Sequence, residues 1–369
     1  MNRLFGWKQT GLFLLALAAG ILPFAVPEVC AAALREGLTL CSGPLLLSLF
    51  PFLVVSRLLI QCPESDLLAL PFRLAAWGIG IRTPCAARVL CIGFLGGFAP
   101  AASAAAQAVR TGQLTAEEAD ALLPACICSG PSFVVLTVGQ SLLGSAELGV
   151  LLFASQITAN YLTAALLNRF AGVRSVKPGS AAPASPAPPR LDEILADAAI
   201  MYCKLCGFIL FFRMLSAGAG ALLPAGAGTF CAVLLEVCSG CDLASRTGRW
   251  GSLLCCAALS VQGLSVLLQV RTICPPEMTL RPLYRARMLH LPLSLALFYL
   301  LLPGGEADVF STLPARVLLM RRVPPDCALL VFAVCCMAAC TLRSGIRQVE
   351  QKQMARNAGG CCINSKTLL

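Results

Sequence analysis

Charge is what this sequence has least of. Asp, Glu, Lys and Arg together make up 12% of its 369 residues, where a soluble chain uses about 25% to cover its surface. Half that supply leaves most of the outer surface apolar. That is tolerable only where lipid is the solvent, so a soluble fold is excluded. Histidine is nearly lacking as well, with His290 alone. A histidine-based metal set or nucleophile–base pair therefore has little to build on. Aromatic residues reach only 7%, and no aromatic-and-basic patch accompanies the net charge of +10. Nucleic acid is thus not an expected partner.

What is present in quantity is apolar. Hydrophobic residues make up 58% of the chain and mean hydropathy is +0.81. The length allows roughly eight to ten membrane segments of ~20 residues. The fold class expected is therefore an all-α polytopic membrane protein. Basic residues lie at loops and ends: Arg3 and Lys8, then Arg169, Arg174, Lys177 and Arg190, then Arg343, Arg347, Lys352, Arg356 and Lys366. Positive loops are retained on the cytoplasmic side, which puts both termini there and implies an even number of crossings. The run over residues 11–26 follows a basic start without a convincing cleavage site. It is expected to be retained as a first helix rather than removed as a signal peptide.

The 21 cysteines sit inside apolar runs. They read as small, polarizable packing residues rather than as a disulfide framework. The pairs Cys203/Cys206 and Cys238/Cys241 have metal-ligand spacing, yet both lie in apolar stretches. No cofactor is called for. With no nucleophile constellation, metal cluster or phosphate loop in view, an enzyme is not expected.

Along the chain, residues 38–60 read as a segment broken by Pro44 and Pro51. Residues 69–81 are apolar but short, fitting a re-entrant or interfacial element. Residues 88–109 cannot form one straight helix, because Gly96-Gly97-Phe98-Ala99-Pro100 interrupts them. Thr115 and Glu118 have capping-box spacing, so a helix should begin near Ala116. The Ser129-Gly130-Pro131 break follows, then apolar segments over 132–143 and 148–167. Residues 171–190, rich in Pro, Ala and Ser, read as an extended linker between two halves. Beyond it come a long helix over 191–223, a segment over 230–243 interrupted at Ser239-Gly240, and a span over 250–270. A polar loop carrying Arg271, Glu277, Arg281, Arg285 and Arg287 is expected next, then spans over 288–302 and 327–342 and a basic tail.

This divides the chain into an N-terminal helix and connector (1–36), a first repeat (37–170), the linker (171–190) and a second repeat (191–302). A loop with the last helix (303–342) and a polar tail (343–369) complete it. Paired interruptions in two halves are the sequence pointer to a transporter site between pseudo-symmetric, inverted repeats. Residue identity between the halves is weak.

Glu236 is the foremost candidate, since an ionisable group at membrane depth must face a partner or a wet cavity. Two readings stay open for it: a working carboxylate, or a structural pair with Lys204 or Arg213. Those two cations project to opposite faces of one helix. One would meet Glu236, while the other meets an anionic substrate or snorkels to the interface. Gln262, Gln269, Gln156 and Asn160 read first as interhelical hydrogen-bonding groups, and His290 as interfacial. Helix N-termini freed at the Gly96–Pro100 and Ser239–Gly240 breaks could hold an anion through backbone amides. The expected binding set is Gly96, Gly97, Phe98, Pro100, Ser129, Gly130, Lys204, Arg213, Glu236, Ser239, Gly240 and Gln262.

Several of these stretches resemble the sporulation integral membrane protein YlbJ family, with its two nucleoside-recognition (Gate) regions. Pro44-Leu-Leu-Leu-Ser-Leu-Phe-Pro51-Phe52-Leu53 resembles its PSLFPF signature, and residues 93–102 lie where that family has a GYP-type break. Thr115-Ala116-Glu117-Glu118-Ala119 with Ser129-Gly130-Pro131 is similar to its next segment. Leu235-Glu236-Val237-Cys238-Ser239-Gly240 and residues 262–270 are similar to its second half. Here Phe98-Ala99 stands where the family has Tyr-Pro, and Pro100 falls one place later. The resemblance covers residues 37–302. It implies a spore-forming bacterial source, Gate-like repeats with re-entrant hairpins, and carriage of dipicolinic acid across the outer forespore membrane. The partners so implied are membrane lipid and a small anionic substrate such as dipicolinate, with a homo-oligomer left open. The alternatives are a non-transporting scaffold for spore-envelope assembly and a nucleoside-type carrier.

Overall fold

The computed structural model describes residues 2–61, 65–172 and 190–302. The expected linker, the helix over 327–342 and the basic tail lie outside the described residues. All regular secondary structure within them is helical. Four stretches are long and apolar enough to cross a membrane: Pro27–Leu47, Ala146–Ala171, Leu191–Leu222 and Gly248–Ile273. Large apolar side chains point outward along these and neighbouring elements, among them Leu47, Phe170, Phe230, Met288 and Leu300. An outward-facing apolar coat of this kind fits a multi-pass membrane protein.

The chain opens with α1 (Asn2–Ala25), α2 (Pro27–Ser42) and α3 (Pro44–Gln61). The break expected around the two prolines falls only at Gly43. Pro44 takes the first position of α3, where its missing N–H has no helical partner to lose, and Pro51 lies within α3 without ending it. Short α4 (Ser65–Leu68) and α5 (Leu70–Gly78) follow. Next come α6 (Pro84–Gly96) and α7 (Phe98–Arg110), separated by Gly97. The capping box forms as expected: Thr115 Oγ1 accepts from the Glu118 amide at 3.1 Å, and Glu118 Oε2 accepts from the Thr115 amide at 3.2 Å. It starts α8 (Ala116–Cys126). A π-helix (Ser132–Leu142) and α9 (Ala146–Ala171) complete the first half.

In the second half α10 (Leu191–Leu222) is followed by α11 (Ala225–Leu235) and α12 (Val237–Ser245). Then come α13 (Gly251–Val261), α14 (Gly263–Ile273) and α15 (Arg281–Leu301). Three expectations are corrected here. The interruption placed at Ser239-Gly240 lies at Glu236 instead, and Ser239 and Gly240 are inside α12. The span over 250–270 is itself interrupted, at Gln262. Arg281, Arg285 and Arg287 belong to α15 rather than to a loop.

At the centre sits α7, packed against α3, α6, α8 and α14. Ala101, Ala102, Ala104, Ala105, Ala106 and Ala108 are all fully buried. Such small side chains let neighbouring backbones come close where lipid offers no hydrophobic drive between helices. Beyond it α8 packs on α9 and α15, and α13 on α12 and α15, while α10 runs along another flank against α2, α3 and α11.

Candidate site at four helix interruptions

Four breaks in the helical backbone converge. At the first, Gly97 adopts φ 81° and ψ −164° between α6 and α7, a conformation open essentially to glycine alone. The second runs through Ile127–Pro131, between α8 and the π-helix. At the third, Glu236 is extended (φ −153°, ψ 128°) between α11 and α12. Gln262 makes the fourth, in the left-handed region at φ 61°, which costs a non-glycine residue roughly 1–3 kcal/mol.

The breaks touch in pairs. A methyl group on Gly97 would stand 2.7 Å from the Gly130 amide nitrogen, and one on Gly263 would stand 2.9 Å from the Glu236 nitrogen. The two pairs are joined through the carbonyl of Ile127. It accepts from Arg287 Nη2 at 2.6 Å, Gln262 Nε2 at 3.3 Å and Asn160 Nδ2 at 3.3 Å. Arg287 also donates from Nη1 to the Ser260 carbonyl at 3.4 Å. It thus spans the ends of α8 and α13, and a cation at a helix C-terminus complements the dipole there.

Among the described residues Glu236 has no cation within ion-pair distance, although Arg213 attracts it electrostatically. Its Oε1 accepts from the Cys238 amide at 2.8 Å and its Oε2 from the Ser239 amide at 2.7 Å, so the side chain caps α12. That capping is why the break lies at Glu236: Gly240 already has its helical bond, to the Glu236 carbonyl at 2.9 Å. Gly240 has a packing role instead, since a Cβ there would come within 2.9 Å of Val233 Cα on α11. Arg213 pairs with Glu36 at 2.9 Å, which corrects the expected partnership with Glu236, and Lys204 lies exposed on α10.

A cavity of about 60 Å³ opens where the breaks meet. Its wall includes Gly96, Phe98, Ser129, Gly130, Glu236 and Gln269, with Leu45, Leu49 and Val266 among its apolar members. A space of this size holds several waters or one small polar group. Of the expected binding set, Gly96, Phe98, Ser129, Gly130 and Glu236 line it. Gly97 and Gln262 shape the breaks around it, and Pro100 packs under Gly96. Ser239 contributes its amide to Glu236, and Gly240 stands behind. Lys204 and Arg213 are not in the wall.

Three helices begin at this wall: α7 with Phe98, the π-helix with Ser132 and Phe133, and α12 with Val237 and Cys238. Amides in a first helical turn have no partner within the helix and carry partial positive charge. Glu236 satisfies two of those of α12, at Cys238 and Ser239. Among the described residues neither α7 nor the π-helix receives a side-chain cap.

Arg287 and His290 matter more than their sequence context announces. Arg287, His290 and Ser294 (i, i+3, i+7) are buried on one face of α15, where a polar loop and an interfacial histidine are expected. His290 Nε2 instead meets the Gln156 carbonyl at 3.2 Å. The helical spacing of these polar residues was the available signal. Gln156, as expected, bonds across helices, donating to Ser260 Oγ at 2.9 Å.

Comparison of the chain with protein-family models, with curated proteins and with solved structures found no match.

Proposed function

We propose that this protein is a membrane carrier for a small organic anion, which binds in the cavity between the interrupted helices. The observation that carries the reading is the convergence of three helix N-termini on one cavity, two of them without a side-chain cap. Backbone amides at such ends attract a carboxylate without placing a full cation at bilayer depth. Interrupted backbone at that depth is tolerated where it is enclosed by protein or lines a wet cavity. On this reading residues 37–170 and 191–302 act as two repeats, each contributing two breaks to the site, in the inverted arrangement common among carriers. The resemblance to the YlbJ family supplies dipicolinate as the cargo and the outer forespore membrane as the place. A cavity of this size admits one carboxylate group of such a cargo beside the uncapped N-termini.

Purified protein in liposomes should take up labelled dipicolinate faster than empty vesicles, and Ser132→Phe, which fills the cavity, should abolish that uptake. Wild-type protein that is folded yet moves neither dipicolinate nor any other small dicarboxylate would overturn the proposal. It would favour a scaffold for envelope assembly instead.

A further inference from the structure

The cavity that suits an anion also holds a negative charge. Glu236 is 2% exposed, and no Lys, Arg or His is among the residues lining the cavity. Arg213 on α10 is engaged by Glu36, and Arg287 on α15 by the carbonyls of Ile127 and Ser260. An anionic cargo entering here meets a carboxylate with no cation beside it in the wall, since Arg213, which attracts Glu236 electrostatically, lies outside it. A second feature of the wall points to what would compensate it. Gln269 is 2% exposed and lines the cavity; its Nε2 donates to Ser265 Oγ at 2.9 Å, and its Oε1 has no partner. A buried acceptor with no donor among the described residues leaves a place for a bound water or ion. With the Ser129 and Ser132 hydroxyls, the polar side chains of the wall offer Glu236 and Gln269 oxygens to a hard cation.

We propose that the cavity binds a monovalent metal cation, sodium, between the Glu236 carboxylate and Gln269 Oε1, and that this ion enters together with the anionic cargo. One carboxylate matches one positive charge. Divalent sites recruit several carboxylates, and no group of three or more His, Cys, Asp or Glu is placed to hold a metal among the described residues. The ion would neutralise Glu236 while leaving the uncapped ends of α7 and the π-helix to the anion. Co-entry rests on the carrier reading above, whereas cation binding stands apart from it.

The two are separated by measuring thermal unfolding and uptake on the same full-length protein. Wild-type protein in NaCl should unfold about 2–5 °C higher than in KCl or choline chloride at equal ionic strength, because an ion that binds only the folded state stabilises it. Gln269→Leu removes the partnerless oxygen while keeping an apolar shape, so it should fold and lose the sodium-specific rise. Glu236→Gln should lose it too, and Lys204→Gln, exposed on α10, should keep it. Equal unfolding temperatures in the three salts, or a sodium rise that survives in Gln269→Leu, would overturn the cation site. A sodium rise without uptake would leave the cation site standing and sink the carrier. Uptake that runs equally well in choline would sink the coupling.

Discussion

Replacing Gly97 by alanine asks whether the first two interruptions really press against each other. Two costs act at that position. At φ 81° and ψ −164° the backbone is held where L-residues with a Cβ are strained by roughly 1–3 kcal/mol. The new methyl would also sit 2.7 Å from Gly130 N and 3.0 Å from Gly130 Cα. Both are backbone atoms with no flexible end to swing aside, so overpacking adds about 1–3 kcal/mol. Gly112 supplies the control, with φ +69° and nothing within 4 Å of a built Cβ; alanine there should cost only about 1–2 kcal/mol. The gain from a less flexible unfolded chain applies to both substitutions and cancels in the difference. Gly97→Ala should therefore lie roughly 1–4 kcal/mol below Gly112→Ala in stability. Reversible unfolding in mixed micelles, followed by tryptophan fluorescence, resolves a gap of that size. Equal stability of the two variants would mean that the loop at Gly130 does not lie against Gly97, and the paired-break geometry would fall with it.

Glu236→Ala should cost about 1–2 kcal/mol through loss of the α12 cap, with Glu236→Gln between it and wild type because one acceptor remains; the same unfolding assay reads both. Arg287→Met removes the donor that links the Ile127 and Ser260 carbonyls. It should speed amide hydrogen exchange in the first turn of the π-helix, and unchanged exchange would show that Arg287 does not hold that break. Asp120→Ala frees the Thr279 and Leu280 amides and the Thr279 hydroxyl that its carboxylate now receives. A loss of about 1–2 kcal/mol is expected, since the Leu280 amide left behind is buried while Thr279 is exposed and can turn to solvent.

How far the sequence foretold this arrangement depended on whether a feature was local. Thr115 and Glu118 announce α8 because a capping box is complete within four residues. Gly97 announces a break because glycine and a nearby proline act on their own backbone. Glu236 was legible as a buried acid, but its partner was not. Lys204 and Arg213, nine residues apart on α10, look available until Glu36, far away in the chain, is seen to hold Arg213. Gln262 gives no local warning at all. It takes a left-handed conformation because the next residue, Gly263, must lie against the Glu236 backbone, and that demand comes from packing. Arg287 was misread as loop because several arginines precede it, although its i, i+3, i+7 partners His290 and Ser294 mark a buried face.

The distribution of satisfied and unsatisfied groups around the four breaks is the strongest reason to look for a ligand there. Each interruption releases backbone amides and carbonyls that cost several kcal/mol apiece if left bare in an apolar medium. The chain answers some of this with its own side chains. Glu236 takes two amides of α12, and Asn160, Gln262 and Arg287 crowd onto the one carbonyl of Ile127. At α7 and the π-helix it supplies no side-chain cap, and in the same wall Gln269 keeps a bare oxygen. Two uncapped helix ends and that oxygen share one cavity, and on the carrier reading proposed above an anion with its counter-ion would complete the set.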